Sequence, residues 1–551
     1  VDASISATTR AAALVEMTER PVELLVVGGG ITGAGIARDA AMRGFRTALV
    51  ERGDFAAGTS GRSSRLIHGG LRYLEHGALR LVFEASRERH ILLRIAPHLV
   101  WPQPFLFPVF AGGRVPAWKL AAGFALYDAL ALLRNVKTHR WLSKRALLRI
   151  EPGLRSSGLQ GGVRYFDAQC DDARLTLANV RAAHQAGALV ANYVDVEGFD
   201  SADGRVRGAR ARDLVTGSAL SLRAQLVINA TGPWSDIVRP DGQAVLRPTK
   251  GAHVAVPRTR LGNHHAVTLL SPVDGRVMFV LPWGDLAYVG TTDTDYAGDP
   301  AAARLDRADV VYLLRSANAV FPDARLQPGD VVSGWAGVRP LLRPPDARSP
   351  GAVSREHRLI DQPGLLSVVG GKLTTYRAIA AEVVDHAATA LHLLNGRRVP
   401  PRAATHREPL PGGETANSAG LIAELEREGL PRPTAEYLVR LHGAEAPAVA
   451  RLARSSPALA QPVVTGHRAL RAQLIHAVHR ELALTLTDLL LRRTHVFHEV
   501  RGHAVSEVPA LADLVGAELG WDAGRKASEL AAYVAEANHH EAFRGERDSI
   551  G

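Results

Sequence analysis

Val22-Glu23-Leu24-Leu25-Val26-Val27-Gly28-Gly29-Gly30-Ile31-Thr32-Gly33 decides the fold of this chain. Its first six residues form a short apolar strand that runs straight into a glycine turn. A helix over residues 34–43 and a second strand, Arg46-Thr47-Ala48-Leu49-Val50-Glu51, complete a βαβ unit whose parallel, right-handed geometry belongs to dinucleotide-binding folds. Gly28 makes the strand-to-helix turn, Gly30 lets backbone approach a pyrophosphate, and Gly33 permits close helix packing. The helix N-terminus adds partial positive charge at the same spot. Glu51, ending the second strand, stands where a carboxylate accepts hydrogen bonds from an adenosine ribose. The competing reading is an ordinary glycine turn. The strand before, the helix after and the placement of Glu51 weigh against it.

The turn alone does not choose between NAD and FAD. The next stretch narrows the field: Thr59-Ser60-Gly61-Arg62-Ser63-Ser64-Arg65-Leu66-Ile67-His68-Gly69-Gly70-Leu71-Arg72-Tyr73-Leu74. It places small hydroxyl residues where a pyrophosphate and flavin can thread, then delivers His68, Arg72 and Tyr73 beyond them. Two distant segments add small-residue turns, Asn229-Ala230-Thr231-Gly232-Pro233-Trp234 and Gly370-Gly371-Lys372-Leu373-Thr374-Thr375-Tyr376. The second opens a helix whose free amides and dipole suit the electron-rich pyrimidine end of a flavin. A cofactor touched by segments this far apart is long and buried, which favours FAD. The cofactor wall is therefore expected from Gly28, Gly30, Ile31, Thr32, Gly33, Glu51, Arg52, Thr59, Ser60, Ser63, Ser64, His68, Gly69, Gly70, Val194, Ala230, Thr231, Gly232, Trp234, Gly371, Lys372, Leu373 and Thr374.

At 551 residues, 46% hydrophobic and 22% charged, the chain is globular and too long for one ordinary domain. Its one cysteine, Cys170, excludes an internal disulfide framework and a cysteine-based metal site, and reads as a small buried hydrophobe. Residues 1–20 lack the apolar core of a secretory signal and read as a disordered lead-in. Helical periodicity covers 79–95, 117–133 and 171–186, 189–197 reads as one strand, and the span 253–292 is β-rich. The stretch 117–133 is interrupted by Lys119 and Asp128, so no membrane span is expected. Pro409-Leu410-Pro411-Gly412-Gly413 marks a linker, followed by helical periodicity whose clearest run covers 468–493. The expected fold is α/β plus α, with three parts. A Rossmann-like FAD-binding domain takes about 21–100, 150–245 and 330–400. A mixed-sheet substrate (cap) domain takes about 101–149 and 246–329, and an all-helical C-terminal domain takes 406–551. The net charge of +11 divides as −3 over 406–551 and +14 over the rest, so the basic excess lies with the catalytic part. That sign fits anionic ligands, anionic lipid or nucleic acid.

In combination these segments resemble the FAD-dependent glycerol-3-phosphate dehydrogenases, from about Glu23 through the helical C-terminal part. The most specific pieces are Ser63 to Glu75, Asp171-Asp172-Ala173-Arg174-Leu175, Asn229 to Trp234, Gly290-Thr291-Thr292-Asp293, Gly337-Val338-Arg339-Pro340-Leu341 and Gly371 to Arg377. The resemblance implies oxidation of sn-glycerol 3-phosphate to dihydroxyacetone phosphate by hydride transfer from C2 to flavin N5. Electrons then pass to a membrane quinone, menaquinone or ubiquinone. It also implies substrate roles for Arg72, Arg339 and Lys372. Arginine suits a phosphate because its planar fork donates two hydrogen bonds at once. Tyr73 either closes over the substrate or fills core. His253 and His68 are the candidates for the proton acceptor, with Arg339 beside them, and a cationic cluster that acidifies the substrate hydroxyl is the alternative to a dedicated base.

A quinone is lipid-soluble, so the protein is expected in the cytoplasm, held peripherally on the inner face of the cell membrane. The stretch 117–133 with Arg134, Lys137, Arg140, Lys144, Arg145 and Arg149 is the candidate anchor on anionic lipid; its alternative is a buried helix beside a solvated basic surface. An oxidase passing electrons to oxygen, and a helical tail that dimerises the chain, stay open. A nucleic-acid-binding flavoprotein is disfavoured because no aromatic-interleaved basic groove is present.

Overall fold

The computed structural model describes residues 3–69, 79–113, 117–130, 136–239, 241–343 and 357–546. The opening βαβ unit is present as read: strand Val22–Val27, helix Ile31–Met42 and strand Thr47–Val50. Four parallel pairings align strands in the order Leu365–Gly370, Ala219–Asn229, Val22–Val27, Thr47–Val50 and Leu189–Ala191. An antiparallel strand, His357–Gln362, closes one edge, and Arg205–Asp213 pairs antiparallel with Ala219–Asn229 and carries Val194–Ala202 on its other side. Burial on both faces gives these strands near-continuous apolar runs, which is the parallel-sheet signature. Helices Ile31–Met42 and Tyr376–Asn395 pack on one another because Gly35 makes room for Tyr376, whose ring lies 2.9 Å from where a Cβ would stand.

The second sheet is mixed and larger. Its strands run in the order Thr294–Asp295, Leu246–Pro257, Leu286–Gly290, Val277–Trp283, Ala266–Leu270, Val100–Phe110, Leu159–Cys170 and Leu66–Ile67. Ser333–Leu342 pairs with Leu246–Pro257 along ten residues, from Leu246 opposite Leu342 to Ala255 opposite Ser333. One face, with Ala252, Val254, Val256 and Ala336, packs on helix Arg307–Val320 as an apolar core. The other face looks toward the cofactor sheet.

Four sequence expectations change. Residues 1–20 are not a disordered lead-in: Ala7–Glu19 is a helix with a Ser6–Thr9 capping box, anchored by an Arg10–Asp213 ion pair and by buried Leu14 and Met17. Leu159–Cys170 and Ser333–Leu342 belong to the mixed sheet, not to the cofactor part, because their partners are Val100–Phe110 and Leu246–Pro257. The span 189–197 is two strands, broken where Tyr193 takes φ +55°. The helix over 468–493 is only Arg471–Arg480 followed, after a break, by a wide helical turn at Asp488–Arg493. The chain leaves the first helix because Leu482 adopts φ +50° and its amide bonds the Ile5 carbonyl, while the buried Glu481 carboxylate is gripped by Arg174 at 2.5 and 2.7 Å.

The C-terminal part is helical, as expected, from Ser418 onward. Polar contacts tie it to the cofactor domain: Asp54 pairs with Arg492 and Arg493 in a buried cluster, Asp171 is hydrogen-bonded to His495 at 2.5 Å, and Arg181 pairs with the partly exposed Glu445. Among the described residues, no helix is long and apolar enough to cross a membrane.

Candidate functional site

A cavity of about 1110 Å³ runs between the two sheets. At one end it is walled by the glycine turn. Gly28 has φ +109° and lies so near Ala230 that a Cβ would stand 2.7 Å from its carbonyl oxygen. Gly33 packs on the Gly28 carbonyl and is not exposed to the cavity, which is the close-packing role expected of it. Helix Ile31–Met42 starts after Gly30, its first amide donates to the Ser60 hydroxyl at 2.9 Å, and its positive end opens onto the cavity. Glu51 accepts from the amides of Gly29 at 2.6 Å and Gly53 at 2.8 Å, one on each oxygen, so its carboxylate is fixed at the cavity wall. Burial raises its proton affinity above the usual carboxylate range, opposed by those two amides.

The other segments singled out in the sequence converge here. Ile31, Thr32, Arg52, Thr59, Ser60, Ser63, Ser64, His68, Val194, Ala230, Thr231, Gly232, Trp234, Gly371, Lys372, Leu373 and Thr374 all line the cavity. Lys372 precedes the turn Leu373–Thr375, which continues into helix Tyr376–Asn395, so a second helix start faces the space. Gly69 is a correction. It does not line the cavity but leaves room for the Tyr127 hydroxyl, 2.1 Å from its would-be Cβ, and its amide donates to Asp167. Gly70, Arg72 and Tyr73 lie outside the described residues.

The polar middle of the cavity is built on the pairing of Leu246–Pro257 with Ser333–Leu342. Thr249 stands opposite Arg339, Gly251 opposite Gly337, and His253 opposite Trp335. Strand alternation puts Gly251, His253, Gly337 and Arg339 on the cavity face. The facing glycines make room for two neighbours: the Arg339 guanidinium lies across Gly251 and Arg62 packs on Gly337. Arg339 donates to the Thr291 hydroxyl at 2.9 Å, the Thr292 carbonyl at 3.2 Å and the Asp293 carboxylate at 3.1 Å. Asp293 also pairs with Arg276 at 2.7 Å, so two guanidiniums share that carboxylate, and Arg276 further meets Asp274 at 3.5 Å.

His253 is buried, its ring stacked on Trp335 at 5.2 Å between centroids, with Nε2 2.8 Å from the Ser64 hydroxyl. Burial and the charges of Arg339 and Arg65 lower its pKa to about 3, so the imidazole is neutral. Ser63 turns the other way, its amide and hydroxyl donating to Asp172 at 3.0 and 2.6 Å. The Asp171-Asp172 pair thus acts as a brace, Asp171 capping helix Asp172–Gln185 and Asp172 holding the serine turn. Cys170 beside it is buried and unbridged.

Sequence reading did not single out Arg62, Thr291 or the apolar far end formed by Phe105, Phe107, Leu120, Leu126 and Phe279. Thr291 sat in a quoted motif and its neighbourhood to Asp293 was the available signal. Arg62 is held by Glu536, a residue of the last helix, which no local pattern connects to it.

The residues present fit FAD: two helix starts, a fixed ribose-side carboxylate, small residues at close approaches and a long cavity with walls from five separated segments. The family model for FAD dependent oxidoreductases matches residues 23–385, and that for the C-terminal domain of alpha-glycerophosphate oxidase matches residues 403–526. The glycerol-3-phosphate dehydrogenase 2 of Mycobacterium tuberculosis is 37% identical across 97% of this chain and 91% of its own. The alpha-glycerophosphate oxidase of Streptococcus pneumoniae is 35% identical across 94% and 96%. A solved glycerol-3-phosphate dehydrogenase from Bacillus halodurans, complexed with FAD, superposes with a TM-score of 0.79 at 31% identity, covering 97% of this chain and 98% of that one. The cavity is therefore an FAD site, and the chain belongs to the family of FAD-dependent glycerol-3-phosphate dehydrogenases and oxidases.

Proposed function

We propose that this protein oxidises glycerol 3-phosphate to dihydroxyacetone phosphate and hands the electrons to a membrane quinone. The observation that carries the reading is the placement of Arg339 and His253 on one strand pair, four residue pairings apart on the same face, facing the space that the dinucleotide turn opens. A cation and a neutral imidazole at fixed separation suit a substrate with a phosphate at one end and a secondary alcohol near the other. When bound, FAD supplies the acceptor for the hydride leaving C2.

The chain's own groups do the rest. Arg339 and Lys372 hold the phosphate, with Arg72 as the third cation on the strength of the family resemblance. Fixing that group sets where C2 lies, and positioning of this kind supplies a large share of catalysis. His253 takes the hydroxyl proton. Its low resting proton affinity owes part to Arg339, so a dianionic phosphate on Arg339 cancels that charge and raises the basicity of the imidazole as substrate arrives. The aromatic walls exclude water from the transfer.

Two features support quinone over oxygen. The far end of the cavity is apolar and lies under helix Ala117–Leu130, which contributes Leu120 and Leu126 to its wall. The outer side of that helix exposes Trp118 at 73%, and Lys137, Arg140, Lys144, Arg145 and Arg149 are exposed in the following segment. An apolar face beside cations suits docking on anionic lipid, with the protein on the inner face of the membrane. Arg134 of the same basic run lies outside the described residues.

Anaerobic bleaching of the bound flavin tests the substrate. Glycerol 3-phosphate is expected to bleach it at rates far above glycerol or 3-phosphoglycerate, and equal rates with glycerol refute the reading. Turnover with a soluble quinone analogue against peroxide yield in air tests the acceptor; stoichiometric peroxide assigns an oxidase.

A further inference from the structure

We infer that Ser64 is the proton relay between the substrate hydroxyl and His253, an inference that rests on the proposed role of His253 as base. Each nitrogen of a neutral imidazole offers one in-plane direction for a hydrogen bond, and at Nε2 the Ser64 hydroxyl occupies it at 2.8 Å. The ring has no room to present that nitrogen elsewhere. Trp335 stacks on one face at an interplanar angle of 15°. Gly290 stands directly across the strand pair, where a Cβ would lie 2.0 Å from the imidazole Cδ2. The other nitrogen, Nδ1, is buried and has no hydrogen-bond partner among the described residues.

The serine is equally constrained. Ser63 is pinned to Asp172 through both its amide and its hydroxyl, and its carbonyl accepts from the Trp335 indole at 3.1 Å. One indole thus stacks on the histidine and anchors the serine turn, which fixes the two against each other. Ser64 and His253 both line the cavity. A substrate alcohol placed there meets the hydroxyl that already engages Nε2.

A serine hydroxyl has one donor and two lone pairs, so it can accept and donate in one step. The substrate O–H bond breaks and its proton joins Ser64 Oγ. The proton Ser64 held forms the Nε2–H bond, and the C2–H bond leaves as hydride to the cofactor. Ser64 ends unchanged, and His253 becomes an imidazolium that later returns its proton to water. For this transfer the ring carries its resting proton on Nδ1.

The experiment measures anaerobic flavin reduction by saturating glycerol 3-phosphate in FAD-replete wild type, Ser64→Ala, Ser64→Thr, His253→Gln and the Ser64→Ala/His253→Gln double variant. Flavin absorbance confirms equal loading. Ser64→Ala is expected to slow reduction about 100-fold, the scale of a lost proton-transfer group. Ser64→Thr, which keeps a hydroxyl, recovers most of that loss. The double variant is expected to be no slower than His253→Gln, because the two residues form one route. If His253→Gln reduces at the wild-type rate, the base assignment fails and the relay with it. If His253→Gln is slow but Ser64→Ala is not, or if the two losses multiply, the relay alone is overturned. Nitrogen-15 spectra of histidine-labelled protein, assigned by difference from His253→Gln, supply a readout independent of turnover. A protonated Nε2 in the resting holoenzyme also overturns the relay.

Discussion

The Arg339 guanidinium lies across Gly251, its nitrogens 2.1 and 2.6 Å from where a Cβ on residue 251 would begin. The glycine therefore sets where the Arg339 guanidinium lies, and with it the proposed phosphate site, although it has no side chain to offer.

Gly251→Ala forces the guanidinium off Thr291, Thr292 and Asp293. The lost interaction with a dianionic substrate is of the charge-assisted kind, about 2–3 kcal/mol, or about 30- to 150-fold in kcat/KM for glycerol 3-phosphate. Flavin content is expected to stay at the wild-type level, since Gly251 is remote from the dinucleotide turn. Steady-state kinetics alongside flavin absorbance checks this. An unchanged kcat/KM removes Arg339 from the substrate site.

Three buried histidines make the protein acid-sensitive. Burial depresses His98 and His253 to about 3 and His476 to about 4, with further depression from Arg174 at His98 and from Arg339 and Arg65 at His253, while Glu481 opposes it at His476. A folded-state pKa below the unfolded value of 6.5 means that the unfolded chain binds more protons between the two values. Stability is then fully present above pH 6.5 and falls as pH drops. At pH 5 each histidine accounts for a loss of about 2 kcal/mol. Melting temperatures of the holoenzyme from pH 7.5 to 5 should fall steadily, and a flat profile contradicts the burial of neutral imidazoles.

Trp118 tests the docking surface. Trp118→Ser removes the most exposed large apolar group of helix Ala117–Leu130, and binding to vesicles containing phosphatidylglycerol should weaken severalfold. Glycerol-3-phosphate-dependent flavin bleaching in solution serves as the control for the intact site. Undiminished vesicle binding places the membrane contact elsewhere.

What was legible in the sequence was local. The glycine turn, Glu51 and the small-residue turns at Ala230 and Gly371 each announce themselves within a few residues, and they converge on one cavity. The pairing of His253 with Ser64 spans 189 positions, and Arg62 meets Glu536 only through the docking of the last helix. No periodicity encodes such contacts. Leu159–Cys170 was assigned to the wrong sheet for the same reason: alternation marks a strand but not its neighbours. The helix over 468–493 failed differently. Its leucines keep helical spacing, yet burying the Glu481 carboxylate against Arg174 and bonding Leu482 to Ile5 outweigh the local preference. Residues 1–20 read as unstructured because their apolar side is thin, and it is tertiary contact with the cofactor sheet that orders them.

The C-terminal domain braces the end of the cavity walled by Glu51 and Arg52. Asp54 lies three residues beyond Glu51, in the loop that supplies Arg52, Ala57 and Gly58 to the cavity wall. Burial works against its carboxylate, yet Arg493 and Arg492 hold it down at about 2. Arg492 also reaches Asp488, which accepts from the hydroxyl of cavity-lining Tyr193 at 2.6 Å. The helical domain thus grips two loops of the cofactor wall through one buried network. Asp54→Asn leaves the buried Arg493 with an uncharged partner and Arg492 with Asp488 alone, and should cost about 3–5 kcal/mol in unfolding free energy. It should also weaken FAD retention, read as flavin fluorescence released during dilution at a temperature where the apoprotein stays folded. Glu445→Gln breaks a pair between the same domains at their half-exposed edge, away from the cofactor wall, and should cost about 1 kcal/mol with FAD retention kept. Equal FAD loss in the two variants would mean that general loosening of the interface, and not the Asp54 network, governs the cofactor.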